Sequence, residues 1–312
     1  MRIALCIIVM YLLPFAIEAQ EPAQQPVFEV AAGTIIHYNE FPSLHVPARN
    51  IEVWLPPGYN PERRYPVLYM HDGQMLFDAQ KTWNKQEWGV DEVISSMIAD
   101  ESIPPVIVVG IWNISENRHS EYFPQKPFES LDPEAQDSLV NKVRRNEQTD
   151  LFIKTPYSDQ YLQFITKELK PFIDKTYPTL SQREHTFIAG SSMGGLISMY
   201  AICEYPETFG GAACLSTHWP GVFQLDNNPI PQAFLDYLKI QLPDPETHKL
   251  YFDHGTATLD ALYGDIQVKV NAIITAGGYN DQNFKTLVFP GEDHSENAWN
   301  KRLGQPLMFL LR

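Results

Sequence analysis

Residues 190–194 read Gly-Ser-Ser-Met-Gly and follow the apolar run Thr186-Phe187-Ile188-Ala189. A run that short reads as a buried strand, and Leu196, Met199, Tyr200, Ile202 and Cys203 continue beyond it at helical spacing. The five residues therefore stand where a strand passes directly into a helix. Such a turn is tight, so glycines flank the one side chain left standing above the sheet. Ser192, unlike Ser191, has a glycine two residues away on both sides. A serine held this way is a candidate nucleophile; alone, the block also fits a glycine-rich turn carrying a surface serine.

Where such a serine is used, the acid and then the histidine follow it along the chain. Thr286 to Pro290 reads as a short strand, and the loop Gly291-Glu292-Asp293-His294-Ser295-Glu296 comes next. His294 is the last of nine histidines, and the only one beyond His254. A neutral imidazole there accepts the Ser192 proton and later returns it to the leaving group. The acid is expected on the loop after the strand Leu250-Tyr251-Phe252-Asp253, which favours Asp260. Asp253 competes from the strand's end, and a backbone carbonyl or Glu292 orienting His294 is the remaining alternative. Another apolar strand, Pro66 to Met70, runs into His71-Asp72-Gly73-Gln74. The backbone N–H groups of Met193 and Gln74 are thus the expected pair of oxyanion donors, with an ordinary Asp-Gly turn as the competing reading.

These stretches resemble the "Putative esterase" family of α/β-hydrolases. Val67 to Asp78 and Ala189 to Leu196 look like stretches of that family, and Val108 to Ile111, Asn113, Arg118, Glu121-Tyr122 and Pro124 are further matches. Tyr251 to Thr256 and Pro290 to Glu296 fit as well. The family includes feruloyl and acetyl-xylan esterases, siderophore (enterochelin-type) esterases, S-formylglutathione hydrolases and mycolyltransferases. Relatives often carry an acidic residue soon after the glycine of the Gly-Thr segment, where this chain has Ala257 and Thr258; Asp260 is the match that remains. The resemblance implies an α/β-hydrolase fold, a doubly wound and mostly parallel sheet with an inserted cap segment. It implies a serine carboxylic-ester hydrolase acting on acylated carbohydrates or similar small esters, without a cofactor. An acyltransferase, a siderophore esterase and a non-catalytic carbohydrate-binding relative are the alternatives.

The order of elements agrees with an α/β sheet. Phe28 to Val30 and Thr34 to His37 read as a first hairpin, Ile51 to Leu55 as a strand, Val90 to Met97 as a helix and Val106 to Ile111 as a strand. Tyr161 to Tyr177 has Leu162, Ile165, Leu169, Phe172 and Ile173 on one helical face. Between Asn113 and Asp150 lies a polar segment too long for a plain connection, which is expected to cover the site. Asp72, Trp83, Arg118, His218 and Trp219 are candidate substrate-binding residues, with Trp88 and Trp112 beside them; for each, ordinary packing is the competing reading, and for Arg118 a pair with Glu121.

Met1-Arg2, the apolar run Ile3 to Phe15 and Ala16-Ile17-Glu18-Ala19 read as an export signal over residues 1–19. Residues 20–312 are then one catalytic domain in the periplasm or outside the cell, with no membrane span once the signal is cleaved. Cys203 and Cys214 read as buried thiols, although an exported protein could pair them. A formal net charge of −15 argues against nucleic acid and anionic membrane as partners. No metal-ligand spacing of Cys and His is present in the sequence.

Overall fold

The computed structural model describes residues 28–145, 149–223 and 225–312; the expected export signal lies outside them. Eight strands form one sheet in the order β1-β2-β4-β3-β5-β6-β7-β8. They are β1 (Thr34–Phe41), β2 (Arg49–Leu55), β3 (Val67–His71), β4 (Ile107–Ile111), β5 (Thr186–Ser191), β6 (Gly211–Leu215), β7 (Lys249–Gly255) and β8 (Phe284–Phe289). β1, β2 and β4 pair antiparallel, and every pairing from β4 through β3 to β8 is parallel.

Helices cover both faces: α1 (Val90–Ala99), α2 (Arg118–Tyr122), α3 (Gln125–Glu129), α4 (Pro133–Lys142), α5 (Ser158–Gln163), α6 (Lys170–Thr176), α7 (Met193–Glu204), α8 (Ile230–Gln241), α9 (Gly264–Ala276), α10 (Glu296–Arg302) and α11 (Gly304–Leu311). Alternate residues of the central strands go to different cores. Val67 and Tyr69 join one with α7, whereas Leu68 and Met70 join the other with α1 and α11. That is why these strands read as unbroken apolar runs rather than alternating ones.

Two expectations change. Phe28 to Val30 is not a strand; β1 pairs instead with β2, from Thr34 against Leu55 to Phe41 against Arg49. The preceding segment is tied down by side chains: Glu29 N–H donates to Asp78, Ala31 N–H to Asp91, and the Trp54 indole to the Ala32 carbonyl. Tyr161 to Tyr177 is helical but not uniformly α, because Phe164–Leu169 is a π-helical stretch between α5 and α6. The segment expected to cover the site forms α2, α3 and α4, and its Tyr122, Phe123, Phe128 and Leu139 are part of the main core.

Candidate active site

Every candidate group sits at the carboxyl ends of the parallel strands, the end at which open α/β sheets bind ligands. β5 ends at Ser191, and Ser192 follows with φ 58° and ψ −120° before α7 begins at Met193. Few non-glycine residues adopt that backbone, and it is held by its surroundings: Ser192 N–H donates to Leu215, and the Ser192 carbonyl accepts from His218 and Leu196. A Cβ at Gly190 would lie 2.8 Å from the Gly194 backbone, and one at Gly195 would lie 2.9 Å from Thr217 Oγ1. Larger residues there would force the turn open.

His294 lies on the loop between β8 and α10, its ring edge-on to Trp299 and Tyr263 at 5.1 and 5.9 Å. Its Nδ1 is 2.5 Å from Asp260 Oδ1. Asp260 stands in the 3-10 helix Thr258–Leu262 and is fully buried. Oδ2 accepts from Gly255 N–H at 2.6 Å and from the Ser216 hydroxyl at 2.5 Å. Burial works against the charge on Asp260, but the bonds to His294, Ser216 and Gly255 outweigh it and hold the carboxyl below its ordinary range.

The two loops are stitched together. Thr256 and Ala257 N–H donate to the Glu292 carbonyl, Gly291 N–H to Thr256 Oγ1, and His294 N–H to Thr258 Oγ1. A Cβ at Gly255 would stand 2.1 Å from the Glu292 carbonyl oxygen, so glycine is required for the loops to close. Asp253 is placed differently. It is buried on β7, accepts from Tyr251 Oη at 2.9 Å and faces Arg302 Nη2 at 3.1 Å, away from His294. Glu292 meets Lys301 with its side chain.

After β3, Asp72 takes the left-handed conformation (φ 57°) and the chain enters a 3-10 turn over Gly73–Met75. A Cβ on Gly73 would lie 2.6 Å from the Gly110 backbone. Gln74 and Met193 are both in the first turn of a helix, where a backbone N–H has no intrahelical acceptor. Asp72 is bound by both arms of Arg118, at 2.8 and 2.7 Å, and by Asn113 Nδ2 at 2.7 Å. Burial pushes its carboxyl up, yet Arg118 outweighs this and leaves it below the ordinary range. Arg118 therefore does not pair with Glu121, which instead holds Arg49 at 2.7 Å.

A cleft of about 600 Å³ joins these groups; Asp72, Gln74, Asn113, Arg118, Ser192 and His294 contribute to its wall. Trp83 stands at its rim, 84% exposed, and Trp88 and Trp299 lie deeper. A larger hollow of about 1390 Å³ opens at the opposite end of the sheet, around Arg63, Pro66, Gly210 and Lys249, and among the described residues no serine or cysteine lines it.

Three aromatic expectations are corrected. Trp219 is fully buried, stacked on Phe252 with its N–H donated to Gln267. His218 lies beneath the turn, its Nδ1 2.9 Å from Tyr263 Oη, and burial drives its pKa down to about 3, so it is neutral. Trp112 packs against Phe28 and His37. Residues unmarked in the sequence stand close to the candidate groups: Tyr263, whose ring meets His294 edge-on and whose hydroxyl is 2.9 Å from His218 Nδ1, and Ser216 and Arg302 behind Asp260. Cys203 and Cys214 are buried free thiols. Among the described residues no helix is long and apolar enough to cross a membrane.

The family model described as "Putative esterase" matches residues 47–309. Among curated proteins, the chain is 30% identical over 173 residues to "Uncharacterized protein YbbA" of Bacillus subtilis (strain 168), covering 55% of this chain and 58% of that protein. The chain spans about half the length of the first curated relatives it matches. Among solved structures, an "IroE-like serine hydrolase" from Shewanella oneidensis superposes with a TM-score of 0.66 at 20% identity, over 89% of this chain and 80% of that one. A "ferulic acid esterase" does so with a TM-score of 0.61 at 18% identity, over 90% and 99%. At these identities the structural likeness speaks for the fold.

Proposed function

The chain belongs to the "Putative esterase" family, and from that premise we propose that it is a serine esterase working through an acyl-enzyme on Ser192. The observation that carries the reading is the 2.5 Å contact of His294 Nδ1 with a buried Asp260, on the wall of the cleft into which Ser192 is raised. With Nδ1–H committed to the carboxylate, Nε2 is left as the base.

In this reading Ser192 Oγ adds to the ester carbonyl as His294 Nε2 takes its proton. The oxyanion is met by the N–H groups of Met193 and Gln74. His294 then protonates the departing alcohol, and water attacks the acyl-serine by the same route. Asp260 keeps the tautomer and balances the imidazolium, without taking the proton. The substrate is a small or carbohydrate-borne carboxylic ester. The family and the fold shared with a "ferulic acid esterase" support that class, and Trp83, Met75 and Trp88 offer apolar surface to an acyl group. Met1-Arg2 and the run Ile3 to Phe15 support export.

A fluorophosphonate probe should label the wild type at Ser192, and Ser192→Ala should lose both labelling and turnover of p-nitrophenyl acetate with its circular dichroism unchanged. Label on another residue, or turnover surviving in the alanine variant, would overturn the assignment.

A further inference from the structure

Behind Asp260 lies a buried group of polar side chains that the reaction just described does not use. Ser216 follows β6 with φ 42° and is fully buried. Its Oγ is 3.0 Å from Trp299 Nε1, 2.7 Å from Arg302 Nη2 and 2.5 Å from Asp260 Oδ2. An indole N–H and a guanidinium can only donate. They therefore occupy both lone pairs of the Ser216 oxygen, and its own O–H has one direction left, toward Asp260. Oδ2 then accepts two hydrogen bonds, from Ser216 and Gly255, which suits an ionised carboxylate and leaves Oδ1 to accept from His294 Nδ1–H.

Arg302 makes this arrangement unusual. It is 3% exposed, its Nη2 lies 3.1 Å from Asp253 and 3.7 Å from Asp260, and its Nε and Nη1 have no hydrogen-bond partner. A buried guanidinium satisfied on one side is a poor source of stability, since desolvation offsets much of what the ion pairs return. Its place beside the acid gives it a different use.

We infer that Ser216 and Arg302 are positioning residues that hold Asp260 as a hydrogen-bond acceptor and so fix His294 as the Nδ1–H tautomer; this rests on the esterase reading above. The charged and titratable groups around Asp260 are few. Arg302 comes from α10, His294 from the loop before it, Asp253 and Tyr251 from β7, Tyr263 from the end of the 3-10 helix, and His218 from the loop after β6. Burial raises Tyr251 and Tyr263 and leaves His218 neutral. Asp253 is pushed up to about 6, mainly by burial, with Arg302 opposing. Without Arg302, the cation shared between two buried carboxylates is gone, and protonation of the pair moves to higher pH.

The test is to compare Ser216→Ala, Arg302→Met and Arg302→Lys with the wild type on p-nitrophenyl acetate across pH. Ser216→Ala and Arg302→Met should lose kcat by about tenfold to a hundredfold with KM unchanged, short of the about ten-thousandfold that a wrong tautomer costs. In Arg302→Met the acid limb of kcat/KM should move to higher pH, and Arg302→Lys should bring it back. The far-downfield imidazole N–H resonance of His294, read without substrate, should weaken in Ser216→Ala. A folded Ser216→Ala variant with wild-type kcat and resonance, or an Arg302→Met variant with an unmoved acid limb, overturns the inference. Failure of the wild type to be labelled at Ser192 would instead remove the esterase reading beneath it.

Discussion

Replacing Asp260 by asparagine tests the acid most sharply, because the three bonds to its carboxylate set the size of the effect. Oδ1 and Oδ2 together accept from His294, Ser216 and Gly255. An amide brings one acceptor and one donor to a pocket that presents only donors. If its oxygen keeps Ser216 and Gly255, its NH2 meets His294 and drives the proton to Nε2, where the base is needed. The expected loss is about ten-thousandfold in kcat, or about 5.5 kcal/mol of transition-state stabilisation, with KM little changed. Asp253→Asn removes a charge that faces Arg302 but not His294. It should cost stability instead, about 3 kcal/mol, the low end for breaking a buried pair because Ser216 and Asp260 still face Arg302. Steady-state kinetics on p-nitrophenyl acetate and urea midpoints for both variants decide the matter. A folded Asp260→Asn variant near wild-type rate, or a large rate loss confined to Asp253→Asn, would refute the reasoning.

Other perturbations test neighbouring parts of the argument. Ser192 at φ 58° stores strain of about 1–3 kcal/mol that glycine escapes, so Ser192→Gly should unfold later in urea than Ser192→Ala; equal midpoints would show the turn to be unstrained. Arg118→Ala leaves the Asp72 carboxylate without its bidentate partner at an expected cost of about 1–3 kcal/mol. Because Asp72 caps the turn that holds Gln74, turnover of small and bulky esters should fall together, and a change confined to KM for bulky esters would mean the guanidinium serves the substrate alone. Asp91 and Glu87 are pushed up to about 7, chiefly by burial with Glu92 adding to it. Their folded-state pKa values are raised, so their contribution to stability is complete below about pH 4 and is lost as pH rises toward 7. Asp91→Asn should make the fall in urea midpoint between pH 5 and 7 shallower, and unchanged slopes would show that Asp91 is ionised throughout.

The turn around Ser192, the late histidine and the acid candidate were legible because each depends on local spelling: glycines where a Cβ would collide, and loops directly after apolar strands. The choice of Asp260 over Asp253 also followed from position along the chain, and the structure brings only Asp260 to His294. The burial of Trp219 and His218 is not legible in the sequence, because an aromatic after a strand looks the same whether it faces a cleft or lies beneath it. Ser216 and Arg302 gave no signal at all. They meet across 86 residues of sequence, and neither belongs to a periodic pattern. Residues 28–30 resemble a strand in sequence, but among the described residues no partner strand meets them: Glu29 N–H goes to the side chain of Asp78, and the neighbouring Ala31 N–H to that of Asp91.

The strand supporting His294 has consequences for how the molecule fails. β5, which raises Ser192, is central and bonded to β3 and β6, whereas β8 is the last strand of the sheet and, among the described residues, pairs only with β7. Every residue of β8 keeps some exposure to solvent, and every residue of β5 is buried. Ser192 and His294 are thus mounted on parts of the sheet that open at different free energies. Amides of β8 should exchange with deuterium well before those of β5. On warming, catalysis should fade while most of the sheet is still intact, and it should return on cooling as the edge strand docks again.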